Sequence, residues 1–363
     1  MSNNDELTLN LLIIGQTGVG KSSLINALFG KEVAKAGVGK PISKHIEKYE
    51  TELDGKKVNL YDSMGFEVAK EECIIDINNA LEKSEESKDI KYLFHGVTYC
   101  IQAGGYKIQD FDIKMIKQFT DKEYSVIIAL TKADQIGKAK REEFIEKIKK
   151  ATKEKTKTDI AVITVSADPE QLDHMTEKPK PYGLTEYKAA ILISWREIFI
   201  NKAPSCIINK LKEDIENAKY DAPNYKPKDD DDLKKLAKDI QEYFNNILKE
   251  KLQSHIKENF KKYYQVKEDI ININTNIDIS NFYSRKNIDP DTYLYDYIGF
   301  SISDLFEHIK DLFTYLKNRM KEKENISDFI NETCKETKEY ISKKSFEDNI
   351  RKIITDNLEN LEK

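Results

Sequence analysis

Three glycines and a lysine, spaced as in a phosphate-binding loop, follow the first apolar run of the chain. Leu11 to Ser23 reads Leu-Leu-Ile-Ile-Gly-Gln-Thr-Gly-Val-Gly-Lys-Ser-Ser. Glycines let backbone N–H groups converge on a polyphosphate, a lysine reaches its outer phosphates, and a serine hydroxyl can bind Mg²⁺. A helix beginning near Lys21 adds the positive end of its dipole. The predicted phosphate-binding residues are consecutive: Gly15, Gln16, Thr17, Gly18, Val19, Gly20, Lys21, Ser22 and Ser23.

A second segment, Asp62-Ser63-Met64-Gly65, has residue types that complete such a site at its outer phosphate. It follows a short run, Lys56 to Tyr61, that predicts a strand. We expect Asp62 to hold Mg²⁺ through a water molecule and the N–H of Gly65 to contact a γ-phosphate. A site of this kind distinguishes a triphosphate from a diphosphate.

A third segment, Thr131-Lys132-Ala133-Asp134, follows the apolar run from Ser125 to Leu130, which predicts a buried parallel strand. A carboxylate such as Asp134 can accept two parallel hydrogen bonds from the N1–H and exocyclic amine of guanine. Adenine presents no such pair of donors. The Lys132 stem can cover the ring, so Thr131, Lys132 and Asp134 predict a guanine site.

In this order the three motifs resemble those of the P-loop GTPases of the TRAFAC class, and Ser166-Ala167-Asp168 supplies a fourth. The TKxD form and the stretch from His95 to Ile101 look like the Era-like and the dynamin- or septin-like side of that family. The resemblance implies GTP and GDP as ligands, Mg²⁺ as cofactor, and base contacts from Ser166 and the N–H of Ala167. Asp168 stands where many relatives have Lys or Leu.

Two departures from the family pattern concern the mechanism. Between Lys31 and His45 there is no Thr to act as the second protein ligand of Mg²⁺, and Ser43 is the best substitute. The resemblance thus implies Ser22, Ser43 and Asp62 around the metal, and Lys21, Gly65 and Ser43 as catalytic residues. Ras-type enzymes place a water-orienting Gln directly after the DxxG glycine. Here that residue is Phe66, so we expect slow hydrolysis that depends on a residue elsewhere, on dimerisation or on a partner.

The apolar runs predict an α/β fold whose mainly parallel sheet is covered by helices on both faces, the P-loop NTPase fold. Ligands of such sheets bind at the carboxyl ends of the strands, where all four motifs fall. The predicted strands are Leu9 to Ile14, His45 to Leu53, Lys56 to Tyr61, Tyr92 to Ile101, Ser125 to Leu130 and Ile160 to Val165.

The composition changes beyond Pro204 to a helical chain rich in Lys, Glu, Asn and Ile. We predict a closing helix from Gly183 to Lys202 that Ala203-Pro204 ends, a GTP-binding domain over 1–203 and an all-α domain over 204–363. Residues with three- and four-residue apolar spacing predict amphipathic helices. The predicted helices are a long one from Leu233 to Tyr263, a second that begins at Ser301, and two more over Ser327 to Tyr340 and Ser345 to Leu361.

Two segments of the helical part allow alternatives. The alternation of Ile with Asn and Asp from Ile271 to Ile279 predicts either a strand or an extended excursion. The aromatic cluster from Tyr293 to Phe300 is either packed in the core, which we favour, or a contact for a membrane or partner.

Charge and cysteine content restrict the partners and the compartment. The 59 basic and 64 acidic residues nearly balance, so we do not expect nucleic acid as a partner. Four widely spaced cysteines fit neither a zinc site nor a disulfide scaffold. With no export signal and no apolar run of about 20 residues, we expect a cytoplasmic protein, with peripheral membrane attachment left open.

Two functions of different class fit these observations. The first is GTP hydrolysis to GDP and phosphate, coupled to the position of the helical domain. The alternative is a GTP-dependent module that self-assembles, or docks on a membrane or partner, with little hydrolysis. The partners we expect are GTP, a second copy through the GTP-binding domain, and a membrane or protein through the helical domain. A P-loop kinase would not account for Asp134.

Overall fold

The structure is a computed structural model that describes residues 7–30, 32–33, 40–41, 46–53, 56–63, 70–86, 88–171, 176–218, 228–282 and 326–362. The chain divides into two compact units. One comprises Met1–Asn201 with Lys262–Arg285, and the other comprises Lys202–Lys261 with Lys286–Lys363. The domain limits 1–203 and 204–363 stay a prediction.

The first unit is built on one sheet. Its seven described strands are β1 (Leu9–Gly15), β2 (Lys40–Pro41), β3 (Ile46–Leu53), β4 (Lys56–Ser63), β5 (Gly96–Gln102), β6 (Val126–Thr131) and β7 (Ala161–Thr164). Their order across the sheet is β2-β3-β4-β1-β5-β6-β7. The pairs β4–β1, β1–β5, β5–β6 and β6–β7 are parallel, and β2–β3 and β3–β4 are antiparallel. The predicted mainly parallel sheet is confirmed.

The central strands are mostly apolar, as expected for parallel strands whose two faces are both shielded from water. All seven residues of β1 and all six of β6 are buried. Strand β5 begins at Gly96, later than the predicted start at Tyr92, because Ile90–Tyr92 form a 3₁₀ turn. Asp89 caps this turn by accepting a hydrogen bond from the N–H of Lys91.

Helices lie between most of these strands, as expected for this fold class. They are α1 (Lys21–Phe29), α2 (Lys70–Glu86), α3 (Asp110–Asp121), α4 (Lys138–Thr156) and the start of α5 (Leu184–Asn217). The apolar face of α3 is buried through Phe111, Met115, Ile116 and Phe119.

The prediction that the closing helix ends at Ala203-Pro204 is wrong, because α5 continues to Asn217. Pro204 lies inside the helix. A proline removes one backbone hydrogen bond and usually ends or kinks a helix. Here the apolar face continues beyond it, and its buried residues give the helix a reason to continue: Cys206, Ile207, Ile208, Leu211 and Ile215.

The second unit is helical over its described residues. It contains the second part of α5, the first part of α6 (Asp230–Asn272), and the helices α7 (Ile326–Ile341) and α8 (Lys344–Glu362). The four-residue spacing predicted for α6 is confirmed by burial of Leu236, Ile240, Phe244, Leu248, Leu252, Ile256 and Phe260.

The alternating segment from Ile271 to Ile279 is not a strand, so that alternative is wrong. Ile271 belongs to α6, and residues 273–279 form turns and irregular structure before a short 3₁₀ helix, Ser280–Phe282. The predicted helix at Ser301 and the aromatic cluster from Tyr293 to Phe300 lie outside the described residues. Within the part of the chain that is described, no helix is both long and apolar enough to cross a bilayer.

Candidate functional site

The loop between β1 and α1 is shaped by its glycines. Gly18 has φ +74° and Gly20 has φ +99°, left-handed conformations that other residues rarely adopt. Gly15 is required for space, because an added Cβ would lie 2.6 Å from the carbonyl oxygen of Cys100 in β5. The loop therefore turns tightly against β5 before α1 begins.

Lys21 is the first residue of α1 and is buried. Its Nζ donates to the carbonyl oxygens of Gly15, at 3.0 Å, and Gln16, at 3.2 Å. An ammonium has three donors, so one more can reach a phosphate oxygen beside the loop. Ser22 and Ser23 are exposed in the first turn of α1, where the helix dipole is positive.

Asp62 lies near the end of β4, whose parallel pairing sets Asp62 opposite Ile13 of β1. Its Oδ1 is buried and has no hydrogen-bond partner among the described residues. Burial raises the pKa of Asp62 to about 6, Lys21 opposes this rise, and Glu47 adds to it. A buried, unsatisfied carboxylate oxygen fits a divalent cation, because oxygen ligands are the ones Mg²⁺ prefers. Ser43 and Gly65 lie outside the described residues.

The segment after β6 is in contact with the phosphate loop. The Thr131 hydroxyl donates to the carbonyl oxygen of Val19 and lies 3.2 Å from the carbonyl oxygen of Ile101. An added Cβ on Gly20 would lie 3.7 Å from Cβ of Thr131 and 3.8 Å from Cε of Lys132. The two loops that were predicted from distant parts of the sequence are therefore neighbours.

Asp134 is exposed on a 3₁₀ turn, Ala133–Gln135, directly after β6. Its Oδ1 accepts a hydrogen bond from the Ser166 hydroxyl at 2.5 Å, and its Oδ2 accepts one from the N–H of Glu170 at 3.3 Å. A carboxylate has about four acceptor positions, so these two bonds orient the group and leave room for two more.

The segment after β7 brings Ser166 to Asp134. The backbone groups of Ser166 and Tyr182 exchange two hydrogen bonds, at 3.1 and 3.0 Å. The next residue, Gly183, has φ +79°, and an added Cβ would lie 1.9 Å from the carbonyl oxygen of Thr164. Only glycine fits at this crossing.

A cavity of about 180 Å³ lies where these segments meet. It is lined by Gly20, Ser23, Thr131, Lys132, Asp134, Ser166 and Ala167, all of them predicted site residues. A larger cavity of about 500 Å³ lies at the amino ends of β6 and β7 and contains none of the predicted site residues. We place the site at the smaller cavity, because ligands of parallel sheets bind at the carboxyl ends.

Sequence reasoning assigned no role in the site to three residues that shape this region: Asp112, Glu170 and Gly183. Asp112 could have been found from the Gln109-x-x-Asp112 spacing, which forms a capping box at the start of α3. Glu170 acts through its backbone and leaves no signal in its side chain. Asp168, at the position where relatives often have Lys or Leu, is exposed and pairs with Lys178.

Comparison with known proteins finds sequence matches to the N-terminal part of the chain. Residues 10–132 match the family model described as 50S ribosome-binding GTPase. Septin-10 of Rattus norvegicus is 30% identical over 159 residues, which cover 38% of this chain and 35% of that protein. Septin-9 of the same organism is 27% identical over 164 residues, 38% of this chain and 29% of that protein. The chain thus spans about a third of the length of these curated relatives.

A shorter match and a structural one involve chloroplast proteins. Translocase of chloroplast 90 of Arabidopsis thaliana is 36% identical over 61 residues, 17% of this chain and 8% of that protein. Toc33 of Arabidopsis thaliana, solved in complex with Mg²⁺ and GMPPNP, aligns at 16% identity and a TM-score of 0.39, covering 55% of this chain and 87% of that one.

These comparisons agree with the septin-like side of the expected resemblance, while the Era-like or dynamin-like assignment stays a prediction. The matched residues run from Asn10, the second residue of β1, through Lys132, and so include the phosphate loop and Asp62. The N-terminal part of the chain is therefore similar to GTPase domains over residues 10–132, and a helical region follows it.

Proposed function

We propose that this chain binds GTP and GDP with Mg²⁺ and hydrolyses GTP to GDP and phosphate. The observation that carries the proposal is the contact between the phosphate loop and the Asp134 loop. Gly20 lies against Lys132, and both line one cavity of about 180 Å³. A nucleotide whose phosphates bind the first loop can reach the second with its base.

Each loop supplies a different part of the recognition. Backbone N–H groups around Gly18 and Gly20, the remaining donor of Lys21 and the α1 N-terminus attract the phosphates. Asp134, oriented by Ser166, accepts two hydrogen bonds from guanine. An adenine ring would leave that carboxylate without these donors, so adenine nucleotides should bind more weakly.

Asp62, Ser22 and Ser43 would hold Mg²⁺ in this proposal. Bound there, Mg²⁺ would neutralise charge that develops on the β- and γ-phosphates during transfer. The support is the buried Oδ1 of Asp62, which has no hydrogen-bond partner among the described residues. Gly65 would sense the γ-phosphate through its N–H.

We infer that hydrolysis is slow in the isolated chain. Phe66 follows Gly65 where Ras-type enzymes have a water-orienting Gln, and an apolar ring cannot orient water. A second copy or another partner would then supply the missing group. The nucleotide state would in turn control the helical region.

Phosphate release tests this proposal when it is measured over a range of protein concentrations. We expect turnover per chain to rise with concentration in the wild type and to be lost in Ser22→Ala. Ser205→Ala, on the exposed surface of α5, is the matched control and should behave as the wild type. Release that needs no Mg²⁺, or that is equal with ATP, would contradict the proposal.

The second candidate is a nucleotide-controlled assembly or docking module with little turnover, which Phe66 also favours. Sedimentation with GDP and with a non-hydrolysable GTP analogue, with and without liposomes, separates the candidates. Association that depends on GTP in a protein without measurable phosphate release would favour the module. It would also test whether the chain, which we propose to be cytoplasmic, attaches peripherally to membranes.

A further inference from the structure

A buried carboxylate of α3 lies behind the phosphate loop. Asp112 is only 3% exposed. Its Oδ1 accepts hydrogen bonds from the side-chain amide of Gln16, at 3.1 Å, and from the Tyr99 hydroxyl, at 2.7 Å. Its Oδ2 accepts a hydrogen bond from the N–H of Gln109 at 2.7 Å. Three elements, the phosphate loop, β5 and the start of α3, therefore meet at this side chain.

Hydrogen bonds hold both oxygens of the Asp112 carboxyl group. A buried carboxylate is costly unless hydrogen bonds satisfy its oxygens. Three donors satisfy the oxygens of Asp112, which lies in the first turn of α3. A carboxylate held by three hydrogen bonds has a fixed position, and it fixes the position of the groups that donate to it.

Gln16 connects Asp112 to the phosphate-binding groups. The side chain of Gln16 is bound by Asp112, while its carbonyl oxygen accepts hydrogen bonds from Nζ of Lys21, at 3.2 Å, and from the N–H of Val19, at 3.5 Å. A displacement of Gln16 would therefore move the lysine and the turn of the loop together.

We propose that Asp112 is a positioning residue for nucleotide binding, which fixes the phosphate loop through Gln16. The proposal rests on the proposed function, in which this loop holds the phosphates of GTP and GDP. A loop held in its binding geometry loses less conformational freedom when the phosphates bind, so affinity is higher. The base contact at Asp134 lies on other segments and does not depend on Asp112.

Asp112→Asn tests this role, because an amide cannot accept from all three donors. We expect the Kd for a fluorescent GDP to rise by about tenfold. The ratio of the affinities for GDP and inosine diphosphate, which differ only in the base, should stay as in the wild type. Gln16→Met should weaken GDP by a similar factor, and the double variant should bind little more weakly than either single one.

Tyr99→Phe is the matched control, because it removes a donor to the same carboxylate without touching the loop. It should lower the temperature of unfolding while the Kd for GDP changes by less than about twofold. If Asp112→Asn does not fold, Gln16→Met decides, since it leaves Asp112 bonded to Tyr99 and Gln109.

The outcomes are distinct. Variants of Asp112 and Gln16 that are folded, less stable and bind GDP as the wild type does would overturn the positioning role alone. An equal change with Tyr99→Phe would do the same. A wild-type protein that binds no guanine nucleotide would overturn the proposed function, and this inference with it.

Discussion

The hydroxyl of Thr131 donates a hydrogen bond to the carbonyl oxygen of Val19. Thr131 is the last residue of β6, and Val19 belongs to the phosphate loop. This buried contact fixes the separation between the segment that carries Asp134 and the segment that carries Lys21. A ligand that spans both therefore meets a distance set by the protein before binding.

Asp134→Asn should change the preferred base. An amide offers one acceptor for the N1–H and one donor, which suits the extra carbonyl oxygen of xanthine better than the amine of guanine. We expect GTP affinity to fall by about 100-fold and affinity for xanthosine triphosphate to rise. Competition binding with both nucleotides measures this. Asp168→Asn, at the same cavity, is the control, and a matching base change there would refute the assignment.

Gly15→Ala should disturb the site more than Gly105→Ala does. The new methyl group at position 15 would lie 2.6 Å from the carbonyl oxygen of Cys100, whereas none of the described atoms lies within 4 Å of a methyl group at position 105. We expect a loss of about 2–3 kcal/mol in the free energy of unfolding for Gly15→Ala and almost none for the control. Urea denaturation measures both. Equal effects would show that the loop can shift away from β5.

The Mg²⁺-dependent part of nucleotide affinity should weaken below about pH 6. Burial raises the pKa of Asp62 to about 6, so its carboxyl group binds a proton below that pH, and the proton competes with the cation. Isothermal titration calorimetry with and without Mg²⁺ measures this part of the affinity. The titrations run from pH 5 to pH 8, about one unit below and two units above the pKa of Asp62.

Asp62→Asn serves as the control for this pH dependence. Mg²⁺ should raise the nucleotide affinity of this variant only slightly at any pH in that range. An unchanged Mg²⁺ effect in this variant would exclude Asp62 as a metal-binding residue.

Acid should destabilise the protein through His95. This residue is fully buried, accepts a hydrogen bond from the N–H of Asn10 at 3.1 Å on Nδ1, and donates from Nε2 to the carbonyl oxygen of Ile90 at 3.0 Å. Burial lowers the pKa of His95 to about 4, although the bond to Ile90 opposes this. Between about pH 6.5 and 4 the unfolded chain binds a proton that the folded chain does not.

Stability should therefore fall as the pH drops through that window, by on the order of 3 kcal/mol in total. Urea denaturation at several pH values, compared between the wild type and His95→Gln, isolates this contribution from those of other groups. The difference between the two proteins should narrow as the pH falls from 7 to about 4. A constant difference would refute the role of His95.

The parts of the fold that were predictable depend on local patterns. The runs before Gly15 and Thr131 are apolar and short, so the strands and the motifs at their ends followed from residue type alone. The link between Gln16 and Asp112 was not predictable, because the two residues are 96 positions apart and neither belongs to a motif that names the other.

At Pro204 a local rule gave a wrong prediction, because a proline usually ends a helix and α5 continues past this one. The proline removes one backbone hydrogen bond, whereas the buried face that follows it extends from Cys206 to Ile215. Packing over several turns outweighs one missing bond. A helix end predicted from a proline therefore needs the burial of the residues that follow.

The tight crossing at Gly183 has a consequence for comparing sequences. Its missing side chain leaves room for the Thr164 carbonyl, and this crossing carries Ser166 to the base side of the cavity. Among homologues, a glycine retained at this column would mark chains whose backbone follows the same course after the last strand, even where the serine itself has been replaced.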